Sequence, residues 1–170
     1  MNTQIKTISR PALFQSIINE IQEKGFKIVS TDMHRPWGGF LVIDESQTQK
    51  FVDTFFADHA QSIEVGKRKL SPKILMVEPK KKLSWQYHHR RSEIWKVIKN
   101  KAGVIISDTD KQGEVQVKKL HDVIKLQKGE RHRLVGLEEW GVIAEIWQHT
   151  DPNNPSNEDD IVRVQDDFGR

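Results

Sequence analysis

The chain contains no cysteine among its 170 residues. Disulfides and thiolate metal sites are therefore excluded, and any bound metal must use imidazole, carboxylate, amide or water ligands. Long apolar runs are also missing, which excludes a membrane-spanning helix from the sequence. The N-terminal "MNTQIKTISRP" lacks the apolar centre of a secretory signal, so a cytoplasmic location is expected. Charge of one sign is lacking too. The formal net charge is only +3, the basic residues are spread along the chain, and the tail "EDDIVRVQDD" is acidic. Neither a nucleic-acid nor a membrane partner is expected from that balance. The run "EPKKKL" at 78–83 reads as a solvated loop.

What is present fits one globular domain. Hydrophobic residues make up 36% and charged residues 30%, and five Trp and seven Phe supply large apolar anchors. The length suffices to bury a sizeable core. Ser9 and Pro11 open a helix, with Leu13, Phe14, Ile17, Ile18 and Ile21 on one face and Gly25 at its end. A short strand, "FKIVS", follows. A second amphipathic segment runs from about Ser46 to His59, with Phe51, Val52, Phe55 and Phe56 as its buried stripe. From residue 73 the chain turns β-rich. "KILMVEP", "EIWKVIKN", "AGVIISD", "EVQVKKL", "DVIKLQ", "HRLVG" and "WGVIAEIWQ" are short and broken by turn residues, as in an antiparallel sandwich or barrel. "HTDPNNPSNEDD" is a loop, and "IVRVQDDFGR" a final strand or arm.

The stretch "LSWQYHHRRSEIW" at 83–95 interleaves possible ligands with arginines. On a strand Gln86 and His88 point the same way. Glu93 reaches their pocket if the chain turns at "HRRS", which leaves His89 facing elsewhere. His132, after the turn at Gly129, can supply a fourth ligand. An amide oxygen, two imidazoles and a carboxylate suit Zn, Mn, Fe, Co or Ni. A strand histidine is more often hydrogen-bonded than metal-bound, so spacing alone leaves both readings standing. His59, His121 and His149 are read as non-ligands.

The pattern Q-x-H-x(4)-E, followed some forty residues later by G-x-x-H, resembles the two motifs of the cupin superfamily. Glutamine in the first ligand position is characteristic there of phosphomannose isomerases. "RPWGGF" at 35–40, "LSWQYHHRRSEIW", "HRL" at 132–134 and "EDDIVRVQDDFGR" at 158–170 are similar, in order, to motifs of the type II phosphomannose isomerase domain. The chain departs from that pattern at Ile94 (usually His), Gln127 (usually Pro) and Gly136 (usually Asn), and Thr48–Lys73 is an insertion.

The resemblance implies an all-β cupin double-stranded β-helix, or jelly-roll barrel, carrying an N-terminal helical extension. Residues 1–62 would form the extension packed on the barrel, and 63–170 the barrel with its C-terminal arm, as a single domain. It implies one divalent ion, zinc first and Mn, Co, Fe or Ni otherwise, on Gln86, His88, Glu93 and His132. It implies a metal-dependent aldose–ketose isomerase of a small phosphosugar, mannose 6-phosphate first. Ser84, Arg91, Arg35 and Arg170 are its substrate-binding candidates. Arg163 is its catalytic candidate; Glu145 matches the family's "IEV" and is a second, read as facing the pocket or equally as a solvated strand residue, with the general base left unassigned. Local readings stand beside these roles: Ser84 as a turn cap, Arg91 paired to a surface carboxylate, Arg163 tied to Asp159, Asp160, Asp166 or Asp167. Trp37, Trp85, Trp95, Trp140 and Trp147 read as core or interface. By fold analogy a homodimer is expected through a buried sheet edge. The alternative function is a non-catalytic metal- or sugar-binding cupin, or an isomerase of another sugar.

Overall fold

The computed structural model describes residues 7–170; residues 1–6, part of the stretch read for a signal, lie outside the described ones. Helix α1 spans Arg10–Glu23 and begins as the sequence predicts: Ser9 caps it, its Oγ accepting from Ala12 N, with proline in the first turn. Leu13, Phe14, Ile17 and Ile21 are buried on its inner face. Gly25 ends it at φ +83°, a conformation that favours glycine.

Where one short strand is expected after α1, there is a hairpin. Strands β1 (Ile28–Arg35) and β2 (Gly38–Ile43) pair antiparallel around Pro36 and Trp37. Gly39 makes this possible, because a Cβ there would stand 2.6 Å from Phe14 and 2.0 Å from the Asp32 carbonyl oxygen. Residues 1–62 therefore contribute a strand pair as well as helices. Helix α2 (Thr48–Phe55) is flanked by 3-10 segments at Glu45–Gln47 and Ala57–Ser62, and Phe51, Val52, Phe55 and Phe56 are all buried as the stripe predicts.

Nine further strands follow: β3 (Lys73–Val77), β4 (Trp85–Tyr87), β5 (Arg91–Lys99), β6 (Ala102–Ser107), β7 (Gln116–Lys118), β8 (Val123–Leu126), β9 (Arg131–Val135), β10 (Gly141–His149) and β11 (Val162–Gln165). They match the β-rich runs of the sequence, and no helix interrupts them. Two antiparallel sheets result, ordered β1-β2-β3-β10-β5-β8 and β11-β4-β9-β6-β7.

The larger sheet is covered on both faces. In β3 and β10 every residue but Gln148 is buried, so these strands read as near-continuous apolar runs. Alternation divides their side chains between two cores. Ile74, Met76, Val142, Ala144 and Ile146 pack against α1 and α2 in one core. Leu75, Val77, Trp95, Val97, Ile124, Leu126, Leu134 and Ile143 fill the space between the two sheets. The open end of that inter-sheet space holds the polar residues described next.

Candidate metal centre

Strand parity aims the site. Arg91, Glu93 and Trp95 alternate along β5 onto the inner face, as do Glu145 and Trp147 on β10 and Lys73 and Leu75 on β3. Across the larger sheet Glu145 is the register partner of both Lys73 and Trp95, and Trp147 is the partner of Glu93. Across the smaller sheet Arg163, Gln86 and His132 are successive partners and so share a face. The two rows face one cavity of about 100 Å³.

His88, Glu93 and His132 converge, each with a possible ligand atom within 4.8 Å of the others, and all three are buried. His88 lies just past β4 and His132 in β9, and the turn between β8 and β9 is tied to the first by a 2.9 Å bond from Gly129 N to His88 O. Each imidazole donates Nδ1–H to a main-chain carbonyl: His88 to Asp160 at 2.6 Å, His132 to Glu130 at 3.0 Å. That fixes the tautomer, so both Nε2 lone pairs face the Glu93 carboxylate. The gaps are 3.2 Å for His88 and 3.7 Å for His132. Arg91 already donates to Glu93 and to His88 Nε2, which leaves the His132 lone pair as the acceptor that calls for a cation. His132 Nε2 is, in addition, buried without a hydrogen-bond partner. The donor set thus fits a divalent ion held by nitrogen and oxygen.

Electrostatics agree. Burial drives the His132 imidazole down to about 4, outweighing the pull of Glu93, and keeps it neutral. Burial works to raise Glu93 as well, but the Arg91 guanidinium and the two histidines hold it well below the usual carboxylate range. Glu145 has the opposite fate. Burial first, then the charge of Glu93, push it up to about 8, against the opposing influence of Lys73 and Arg91 and the Trp147 indole N–H that it accepts. One cavity therefore holds an ionised and a protonated carboxyl near neutral pH.

Gln86 and the substrate-binding and catalytic candidates from the sequence all border this cavity. Gln86 sits beside His132 in register, its Oε1 accepting from Ser84 Oγ at 2.6 Å. Arg91 is buried, and it stacks 3.6 Å from the Trp147 ring. It donates to Glu93 at 2.8 Å, to His88 Nε2 at 3.2 Å, and to Ser156 and Asn157. Its carboxylate partner is thus an interior one. Arg35 lies 2.9 Å from Asp32, yet its Nε makes no aligned hydrogen bond. Arg170 is held by Asp166, and Arg163 is exposed at the rim. All five tryptophans are buried, and Trp37, Trp95 and Trp147 line the cavity. His89 is exposed and faces away, as expected, and His149 is buried on Ser71 and Ser156.

Sequence reasoning missed three residues. Lys73 is buried in the cavity wall and pairs with Glu158, both among its lining residues. Asp160 is a hub: its carboxylate accepts from His89 N and Arg90 N at 3.0 Å each and from Ser156 Oγ at 2.6 Å, while its carbonyl orients His88. Only parity with Leu75 and Val77 marks Lys73 in the sequence. Nothing local marks the other two, whose partners on the cavity wall and the His88–Arg90 turn are 70 or more residues away.

The family model for the mannose-6-phosphate isomerase C-terminal domain matches residues 52–166. Mannose-1-phosphate guanylyltransferase ManC of Salmonella typhimurium is 30% identical over 139 residues, which are 82% of this chain and 23% of that protein. The chain thus spans about a quarter of the length of that curated relative. Among solved structures, a mutant of Bacillus subtilis oxalate decarboxylase OxdC superposes with TM-score 0.54 at 12% identity, over 79% of this chain and 30% of that one. The capsular polysaccharide assembling protein CapF of Staphylococcus aureus gives 0.50 at 14% identity, over 82% and 32%. At such identities the likeness is one of fold, and it agrees with the two-sheet barrel. A cupin barrel with an N-terminal helical layer, matched by the family model over most of its length, belongs to the mannose-6-phosphate isomerase C-terminal family.

Proposed function

We propose that this domain is a metal-dependent aldose–ketose isomerase of a sugar phosphate, with mannose 6-phosphate and fructose 6-phosphate as the first pair to test. The observation that carries the reading is the convergence of His88, Glu93 and His132 beside a cavity that also buries a second carboxyl, Glu145. Aldose–ketose interconversion moves a proton between neighbouring carbons. It needs a group that accepts and returns a proton near neutral pH, and a carboxyl held near 8 is suited to both.

In this reading His88, His132 and Glu93 hold the ion, with Gln86 beside them; zinc is the first choice, and Mn, Co, Fe or Ni are alternatives. When bound, such an ion supplies Lewis-acid charge at the carbonyl end of the sugar. The protein's own residues do the rest. In its ionised form Glu145 takes the proton from C2 of the aldose and returns it to C1, while the O2 hydroxyl proton passes to O1. The Trp147 indole N–H holds the Glu145 carboxyl in place. Trp37, Trp95 and Trp147 wall the cavity against water. Arg163, Arg35 and Arg170 offer guanidinium donors to an anionic substrate at the rim. Ser84 orients Gln86, and Arg91 balances Glu93. The same reading takes the protein as a cytoplasmic homodimer.

A second reading, a non-catalytic metal- or sugar-binding cupin, is favoured by one contact. Arg91 already donates to Glu93 and to His88 Nε2, satisfying two of the three ligand groups without an ion. Metal analysis of the purified protein, then a coupled assay over mannose 6-phosphate and other phosphosugars, separates the two. Stoichiometric metal with turnover of a phosphosugar supports the isomerase. No metal, and no gain on adding Mn, Zn or Co, overturns it. Turnover unchanged by Arg163→Ala removes that residue from the mechanism.

A further inference from the structure

We propose that Lys73, with Arg35 on the same aromatic wall, is the seat for the anionic group of the substrate, and that Glu158 occupies this seat as a built-in carboxylate which substrate displaces. This rests on the isomerase reading only in naming the anion as a sugar phosphate.

Lys73 is an unusual lysine. Its side chain is 8% exposed, and its ammonium lies 3.8 Å from the Trp147 ring centroid and 5.2 Å from that of Phe40. Such aromatic faces favour a cation but do not replace water as a hydrogen-bond partner. A buried ammonium left unpaired is costly, so it needs an anion. In the larger sheet its neighbour Glu145 is a carboxyl held protonated up to about pH 8, a weak counter-charge at neutral pH. The anion that meets Lys73 is Glu158.

That pair is lopsided. Glu158 is 68% exposed against 8% for its partner, so one member is walled in and the other is mostly in water. Its flanks are fixed. Asn157 O accepts from Arg91 at 3.1 Å, and Asp160 is bound to the His88–Arg90 turn. Rotation of the Glu158 side chain alone opens the seat, with no movement of the loop. Arg35 completes it. Its guanidinium lies 5.5 Å from the Phe40 ring centroid, and its Nε is buried without an aligned partner. Two cations on one aromatic wall of the cavity, one met by the removable Glu158 carboxylate and the other by the half-exposed Asp32 at 2.9 Å, suit a dianionic phosphate. Arg163 and Arg170, from β11 and the segment after it, then face the rest of the sugar.

Inorganic phosphate is the probe, titrated into EDTA-treated full-length protein by calorimetry at pH 7. Glu158→Gln removes the competitor, and phosphate binding tightens by about tenfold, the equivalent of one charge-assisted contact. Lys73→Gln weakens it by about tenfold and cancels the gain in the double variant, whereas Lys73→Arg retains it. Weaker or unchanged phosphate binding in Glu158→Gln overturns the proposal. Because Glu158 is exposed, this arm stands even where Lys73→Gln fails to fold. Turnover of mannose 6-phosphate with the same KM in Glu158→Gln and wild type overturns the seat and leaves the isomerase intact. Phosphate binding that follows Lys73 and Glu158 in a protein that isomerises no phosphosugar upholds the seat and ends the isomerase reading.

Discussion

Glu145→Gln probes the buried acid through stability, with no need of substrate. The folded protein holds this carboxyl near 8 against an ordinary 4.5, because burial and the neighbouring Glu93 charge disfavour its ionised form. Below pH 4.5 it is protonated whether the chain is folded or not, and contributes nothing to the pH dependence. Between 4.5 and about 8 the unfolded chain has released the proton and the folded one has kept it, so stability falls as pH rises. Above about 8 the penalty is complete and constant. At 1.36 kcal/mol per pH unit the full span is worth about 5 kcal/mol. Glutamine preserves the acceptor for Trp147 and cannot ionise. Urea unfolding of both proteins in EDTA, from pH 5 to pH 9, isolates the effect, since every other titrating group cancels in the difference. The variant should gain on wild type by several kcal/mol across this range, with most of the gain accumulated by pH 8. Parallel stability curves would refute the assignment of Glu145 as a buried, proton-retaining acid.

Three other outcomes follow from the geometry. His132→Ala should abolish stoichiometric binding of a divalent ion in competition with a coloured chelator while leaving the barrel folded; retained binding rules out the His88–Glu93–His132 centre. Asp160→Asn disturbs the clamp that orients His88 and should weaken metal affinity by about 10- to 100-fold in the same titration, with an unchanged affinity showing that the clamp only fastens the loop. Gly136→Asn restores the residue usual in the family, yet a Cβ at this position would stand 2.0 Å from the Glu78 carbonyl oxygen. It should lower stability by about 1–3 kcal/mol on thermal or urea unfolding, and a neutral result would mean that the backbone yields there at no cost.

The legible parts of this molecule are those written in adjacent residues. Ser9, Pro11 and Gly25 delimit α1 because capping and left-handed turns depend on one residue each. The β-rich runs are strands because alternation is local. Gln86, His88, Glu93 and His132 are visible as a motif, and three of them meet at metal-binding range. What is not legible depends on long-range register. "GGFLVI" becomes β2 only because it pairs with β1 and β3, and Gly39 is needed for an approach that spans helix, strand and turn. Lys73 looks like the charged start of an apolar strand. Its place in the cavity follows from pairing with Glu145, its register partner 72 positions later. Arg91 carries a basic motif on the page of the sequence, but only the folded chain commits its donors to Glu93, His88 and Ser156.

The double covering of the larger sheet limits how this domain can be divided. The portion matched by the family model begins at residue 52, inside α2, and leaves out α1 and the β1–β2 hairpin. Cutting there would strip the back of β3 and β10 and bring Ile74, Met76, Val142, Ala144 and Ile146 into water. Those same strands carry Lys73, Glu145 and Trp147 on their front. A trimmed barrel would thus lose the alignment of its cavity-facing side, and any graft of this cavity onto another scaffold must bring its helical backing with it.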